Sequence, residues 1–103
     1  MRKEKKKYLS LYLIQEAKIN RLETMKKISP DKADLYAQKI KQCITLRDEI
    51  ETKIKNVDGG VLSEILFQKY IFGKTLEEIG YIINYSKRQT ERLHIKALEE
   101  FEI

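Results

Sequence analysis

Residues 75–98 read TLEEIGYIINYSKRQTERLHIKAL, and this stretch decides the fold. Thr75 stands three residues ahead of Glu78. That is the capping-box spacing, in which a threonine hydroxyl and a glutamate carboxylate satisfy each other's free backbone N–H groups and open a helix. Ile79, Ile83, Tyr85 and Leu93 are the apolar positions expected to bury two crossed helices against a third. Gly80 falls where those helices approach most closely and a larger side chain would hold them apart. Asn84 occupies the turn, where a left-handed backbone is often required and asparagine tolerates it better than most residues. Ser86 then caps a second helix, expected to run from Lys87 to about Phe101. A capped helix, a small residue, a turn and a second capped helix at this spacing make a helix-turn-helix.

At 100° per residue, Thr90, Leu93, Ala97 and Phe101 of the second helix face inward. Arg88, Arg92, Ile95 and Glu99 face outward, flanked by Gln89, Glu91 and Lys96. The outward face is therefore basic at its N-terminal end, the end that enters the major groove of double-stranded DNA in this motif. There arginine can bind guanine bidentately, and lysine or glutamine can hold phosphates. A solvated helix face with no ligand is the plainer alternative, and the coincidence of four structural signals favours DNA. His94, the only histidine, leans toward the inward stripe and reads as a packed imidazole.

Upstream, residues 61–72 read as a helix with Leu62, Ile65, Leu66 and Lys69 on one face and Tyr70 beside it, and Gly73 is placed to end it. Gly59-Gly60 breaks the chain before that helix and divides it into an arm, residues 1–58, and a helix-turn-helix domain, residues 59–103. In the arm, Ala33, Tyr36, Ile40, Cys43, Arg47, Ile50, Ile54 and Val57 are spaced alternately three and four apart, which is a coiled-coil seam broken only by Arg47. Ser29-Pro30 caps and starts this helix, expected over residues 30–57. The segment before it, residues 5–28, offers Leu11, Ile14, Leu22, Met25 and Ile28 as its apolar face. Seam spacing leaves two partners open: the first helix of the same chain as an antiparallel hairpin, or a second copy in a homodimer. The homodimer is favoured because it suits paired DNA half-sites. The fold class is thus all-α, a helical hairpin or coiled-coil arm followed by a helix-turn-helix.

Composition narrows the function classes. Of 103 residues 36% are charged, yet 42% are hydrophobic with helical periodicity, so the chain is expected to fold. Residues 1–58 carry 15 Lys and Arg against 9 Asp and Glu, whereas residues 59–103 carry 6 against 7. The arm can thus supply sequence-independent phosphate attraction and the domain specificity, or its lysines can simply keep the chain in solution. Cys43 is the only cysteine, which excludes an intramolecular disulfide and a cysteine-rich zinc site and fits a reducing cytoplasm. The basic N-terminus followed by Tyr8–Ile14 has only a superficial likeness to a secretion signal, because Gln15, Glu16 and Lys18 follow without a small-residue cleavage site. No apolar run approaches the roughly 20 residues needed to span a bilayer. No glycine-rich phosphate loop, metal-ligand spacing or catalytic constellation is present, so neither an enzyme nor a cofactor is expected.

The run Leu76-Glu-Glu-Ile-Gly80, then Tyr85-Ser86 and Ala97-Leu98, resembles region 4 of bacterial sigma factors, and the resemblance covers residues 61–101. Residues 65–74 are similar to the helix and loop that lead into that region's helix-turn-helix. With its helical first half, the whole chain resembles small phage or prophage proteins of the sigma region 4-like type, akin to ArpU- and RinA-type late-gene transcription regulators. Nothing resembles the promoter-melting region, so a complete sigma factor is not expected. The resemblance implies that Lys87, Arg88, Glu91 and Arg92 lie where such helices contact bases, and that Thr75, Gln89 and Lys96 lie near the DNA backbone. Thr90 departs from it, standing where a branched apolar residue is usual. So do Glu99, Glu100 and Glu102, which suit only an end pointing away from DNA. The resemblance also implies a second function class, an adaptor that contacts RNA polymerase without binding DNA, with Ile95 available for a protein contact.

Overall fold

The computed structural model describes residues 1–103 and is all-helical, with no strand. Helix α1 (Arg2–Ile28) leads through a 3-10 turn (Pro30–Lys32) into α2 (Ala33–Lys55). Helix α3 (Gly60–Leu66) widens into a π-helical turn (Phe67–Ile71), and α4 (Leu76–Ile83) and α5 (Lys87–Glu100) follow. No helix is long and apolar enough to cross a membrane.

The α2 seam packs against α1 of the same chain, as an antiparallel hairpin. Ile40, Ile50, Ile54 and Val57 are buried along it. The facing residues of α1 form a seam of their own, with Tyr8, Tyr12, Gln15, Ile19, Leu22 and Lys26 all buried or half-buried at alternating steps of four and three. This corrects the expected α1 face: Leu22 is buried and Leu11 and Met25 are half-buried, but Ile14 and Ile28 are 47% and 69% exposed. Tyrosines, a glutamine and the aliphatic stem of a lysine occupy seam positions that an apolar-only pattern overlooks. Arg47, the charge within the α2 seam, is answered inside the chain by Glu16, Nη1 to Oε1 at 2.7 Å. A second copy would have to displace α1 to reach this seam.

The turn between the two helices differs in one detail from the sequence expectation. The Ser29 hydroxyl makes no capping bond; instead the Ser29 carbonyl accepts from the Lys32 N–H at 3.0 Å and closes the 3-10 turn. Proline at the first position of that turn gives up only an N–H that had no partner to lose.

Gly59, at φ 79°, turns the chain out of the hairpin, but the hydrophobic core continues across this boundary. Leu9 and Tyr12 of α1, Ile50, Ile54 and Val57 from α2 and its end, Leu66, Tyr70, and Ala97, Leu98 and Phe101 form one cluster. The base of the hairpin therefore packs on the helix-turn-helix, and the rest of the hairpin projects from it. The molecule measures 52 × 25 × 21 Å as a result. One polar tie and one aromatic contact reinforce the junction. The Lys5 ammonium donates to the carbonyls of Leu98 and Glu99 at 2.9 and 3.2 Å, satisfying groups that the last turn of α5 leaves unpaired. Tyr8 lies 6.0 Å from the Phe101 ring and donates its hydroxyl to Glu49 at 2.6 Å.

Candidate nucleic-acid interface

Both capping residues of the helix-turn-helix perform as their sequence spacing suggests. The Thr75 hydroxyl accepts from the Glu78 N–H at 3.1 Å while the Glu78 carboxylate accepts from the Thr75 N–H at 2.9 Å. These hydrogen bonds, with the positive charge of Lys74 nearby, hold the Glu78 carboxyl below its ordinary range. Ser86 caps α5 and is itself in a capping box, with Gln89 Oε1 accepting from the Ser86 N–H at 3.1 Å. The Ser86–Gln89 spacing, like that of Thr75 and Glu78, is the sequence mark of this box.

The turn is set by three residues. Asn84 adopts φ 61° and ψ 44°, the left-handed conformation. The Tyr85 N–H then donates to the Gly80 carbonyl at 2.8 Å. Gly80 is buried, and a Cβ there would lie 2.9 Å from the Tyr85 carbonyl oxygen and 3.1 Å from Thr90 Oγ1. Thr90 is fully buried, and its hydroxyl donates to the Ser86 carbonyl at 2.8 Å, which is how a threonine serves where an aliphatic residue is usual. Tyr85 departs from expectation: its side chain is 40% exposed, and its backbone N–H does the structural work.

With α4 fixed this way, α5 turns Thr90, His94, Ala97 and Leu98 into the protein and leaves Lys87, Arg88, Gln89, Glu91, Arg92, Ile95, Lys96 and Glu99 exposed. Arg88 and Arg92, one turn apart, occupy the middle of the exposed arc, and neither is in an ion pair. Lys87 and Glu91 form one edge of that arc, Gln89 and Lys96 the other. Of the residues assigned to the backbone, Thr75 joins the Lys87 edge, whereas Lys96 lies across α5 from it.

Beside the Lys87 edge a cleft of about 660 Å³ separates α1 from the helix-turn-helix. It brings Lys6 and Ser10 of α1 together with Lys69, Lys74 and Thr75. Gly73, at φ 70°, turns the chain so that the Lys74 N–H donates to the Gln68 carbonyl at 2.9 Å, and so delivers Lys74 to the rim. Lys6, Lys69 and Lys74 come from separate segments with no local pattern joining them, so sequence spacing could not have grouped them.

Behind the cleft, His94 is 4% exposed and its Nε2 lies 2.8 Å from the Tyr70 hydroxyl. Burial, with the positive charges of Lys69 and Lys6, pushes the imidazole down to about 4, and burial pushes the Tyr70 hydroxyl up to about 12. In the tautomer that carries its proton on Nδ1, neutral His94 accepts from the tyrosine hydroxyl at Nε2. Above about pH 6.5 the imidazole is neutral folded and unfolded alike. As pH falls from 6.5 toward 4 the unfolded chain takes up a proton that the folded one refuses, so stability is lost, by up to about 3 kcal/mol. The single histidine makes the assignment of imidazole Hε1 and Hδ2 unambiguous in a proton NMR titration, and their common midpoint is expected near 4; a midpoint near 6.5 would contradict the burial.

No family model, curated protein or solved structure matches the chain.

Proposed function

We propose that the protein is a sequence-specific transcriptional regulator that binds double-stranded DNA in the cytoplasm and reads the major groove with the N-terminal half of α5. The observation that carries this reading is the pair Arg88 and Arg92, exposed and free of carboxylate partners on successive turns of a helix whose start is fixed by the Ser86–Gln89 capping box and by the close contact of Gly80 with Thr90. Free guanidinium groups on a rigid helix lose little on meeting guanine edges, the commonest specific contact in the major groove. Lys87 and Glu91 flank them at one edge, where Lys87 also reaches the phosphates beside Thr75; Lys96 borders the phosphates at the other edge, next to Gln89, whose side-chain oxygen also caps α5. Glu99 and Glu100 close the far end of α5 and Glu102 lies just past it, all away from the reading end. The sigma region 4-like pattern of residues 61–101 points the same way, toward a phage or prophage regulator. His94, closed off and committed to Tyr70, serves packing rather than catalysis, and no cofactor enters this reading.

Selection of bound duplexes from a random pool at two salt concentrations tests the proposal, and an enriched motif is expected. On that motif, Arg88→Ala and Arg92→Ala should each cost roughly 1–3 kcal/mol, about fivefold to 150-fold in affinity, and relax the base preference at one position. No enriched motif, or full affinity in both variants, would sink the groove-reading role.

An adaptor that contacts RNA polymerase is the second reading, and one observation favours it. Tyr81, Ile82 and Tyr85 are 82%, 52% and 40% exposed around the end of α4, an apolar group that a protein surface would cover. Polymerase binding that survives loss of both arginines, together with no selected DNA site, is its signature.

A further inference from the structure

We propose that the cleft between α1 and the helix-turn-helix holds the sugar-phosphate backbone of one DNA strand, with Lys6, Lys69, Lys74 and Lys87 contacting successive phosphates beside the groove that α5 reads. The assignment rests on the DNA-reading role of α5 and adds the path of the flanking strand.

Three observations carry it. First, position: Lys87 belongs both to the exposed face of α5 and to the cleft wall, so a duplex seated on Arg88 and Arg92 presents its backbone at the cleft mouth. Second, charge: the cleft gathers four ammonium groups against the carboxylates of Glu77 and Glu91. The chain's ion pairs lie elsewhere, joining Arg47 to Glu16 and Asp48, and Lys55 to Glu51, so all four lysines are free to meet an anion. The charge of two of them reaches inward as well, since Lys69 and Lys6 add to burial in opposing protonation of His94. Third, construction: three of the four lysines sit on fixed backbone. Lys69 lies in the π-helical turn with its ammonium 5.8 Å from the centre of the Tyr70 ring. Lys74 follows the left-handed Gly73, and Lys6 is one residue beyond Lys5, whose ammonium is bonded to the end of α5.

The cleft also accounts for how a module with 6 cations and 7 anions over residues 59–103 could hold a polyanion. α1, folded back within the same chain, contributes Lys6 where the module alone has too little positive charge.

The test measures duplex affinity of the full chain by fluorescence anisotropy across a series of sodium chloride concentrations. Lys6→Gln/Lys74→Gln is compared with wild type and with a control, Lys39→Gln/Lys41→Gln. The control removes the same charge from exposed positions on the projecting part of the hairpin. Both pairs are exposed, and equal thermal midpoints by circular dichroism will show that the variants fold. Each lost phosphate contact lowers the slope of log affinity against log salt by about 0.9. The cleft variant should therefore lose roughly two units of slope and the control far less, with the preferred base sequence unchanged in both. A cleft variant indistinguishable from the control, on a wild type that binds, overturns the cleft assignment and leaves the reading by α5 intact. A wild type that binds no duplex overturns both.

Discussion

Phe101→Ala is expected to cost about 3–5 kcal/mol, the range for emptying a buried phenylalanine site. Phe101 is fully buried, lies 6.0 Å from Tyr8, and belongs to the cluster that contains Leu9 and Tyr12 of α1 and Ile54 of α2. Domains of this size are stable by about 5–15 kcal/mol, so a large part of the margin rides on one side chain just past the end of α5. Urea denaturation gives the size of the loss. Amide exchange gives its place: protection should fall together in α5 and the first half of α1 and persist in the projecting hairpin, where Leu22 and Ile40 are buried. Uniform loss across the whole hairpin would mean that the arm has no stability apart from the module.

Gly80→Val should be the next most damaging change. In an exposed helix, removing a glycine gains up to about 1 kcal/mol. Here the new Cβ meets a backbone oxygen, that of Tyr85, at 2.9 Å, and Tyr85 is itself tied to the Gly80 carbonyl at 2.8 Å. Neither atom can yield without moving the turn, so α5 must shift away from α4. A net loss of about 1–3 kcal/mol is expected, with a larger fall in affinity for a selected DNA site than stability alone explains, because the reading helix is displaced. Gly80→Ala, which adds only the Cβ, should lie between wild type and valine; an alanine variant more stable than wild type would show that the helices have room to spare.

The helix-turn-helix was legible because its signals are local. Capping spacings, a left-handed asparagine and a close-approach glycine act within a few residues, and each leaves its own mark in the sequence. The α2 seam was legible too, being nearly all apolar. Its counterpart in α1 was hidden by Gln15 and Lys26, whose stems fill seam positions while their polar ends reach out. Which face of α1 meets α5 depends on residues more than 80 positions away, such as Leu9 against the cluster of Ala97, Leu98 and Phe101. No periodicity within α1 encodes that choice. The same holds for the site: Arg88, Arg92 and Lys87 followed from the helical wheel, whereas Lys6 became a neighbour of Lys87 only through the packing of α1, and Lys74 through the turn at Gly73.

The bond from Lys5 to the Leu98 carbonyl spans 93 residues of chain. During synthesis the α1–α2 hairpin can pair as soon as it emerges, since its contacts are local and its closing turn is short. The base of that hairpin must wait, with Leu9 and Ile54 uncovered, until residues 97–101 have left the ribosome. A contact of such sequence separation forms late and slows folding, and the interval leaves apolar surface exposed to other chains. Nascent chains stalled before residue 97 should therefore depend on chaperones more than those stalled after residue 101 is clear of the exit tunnel.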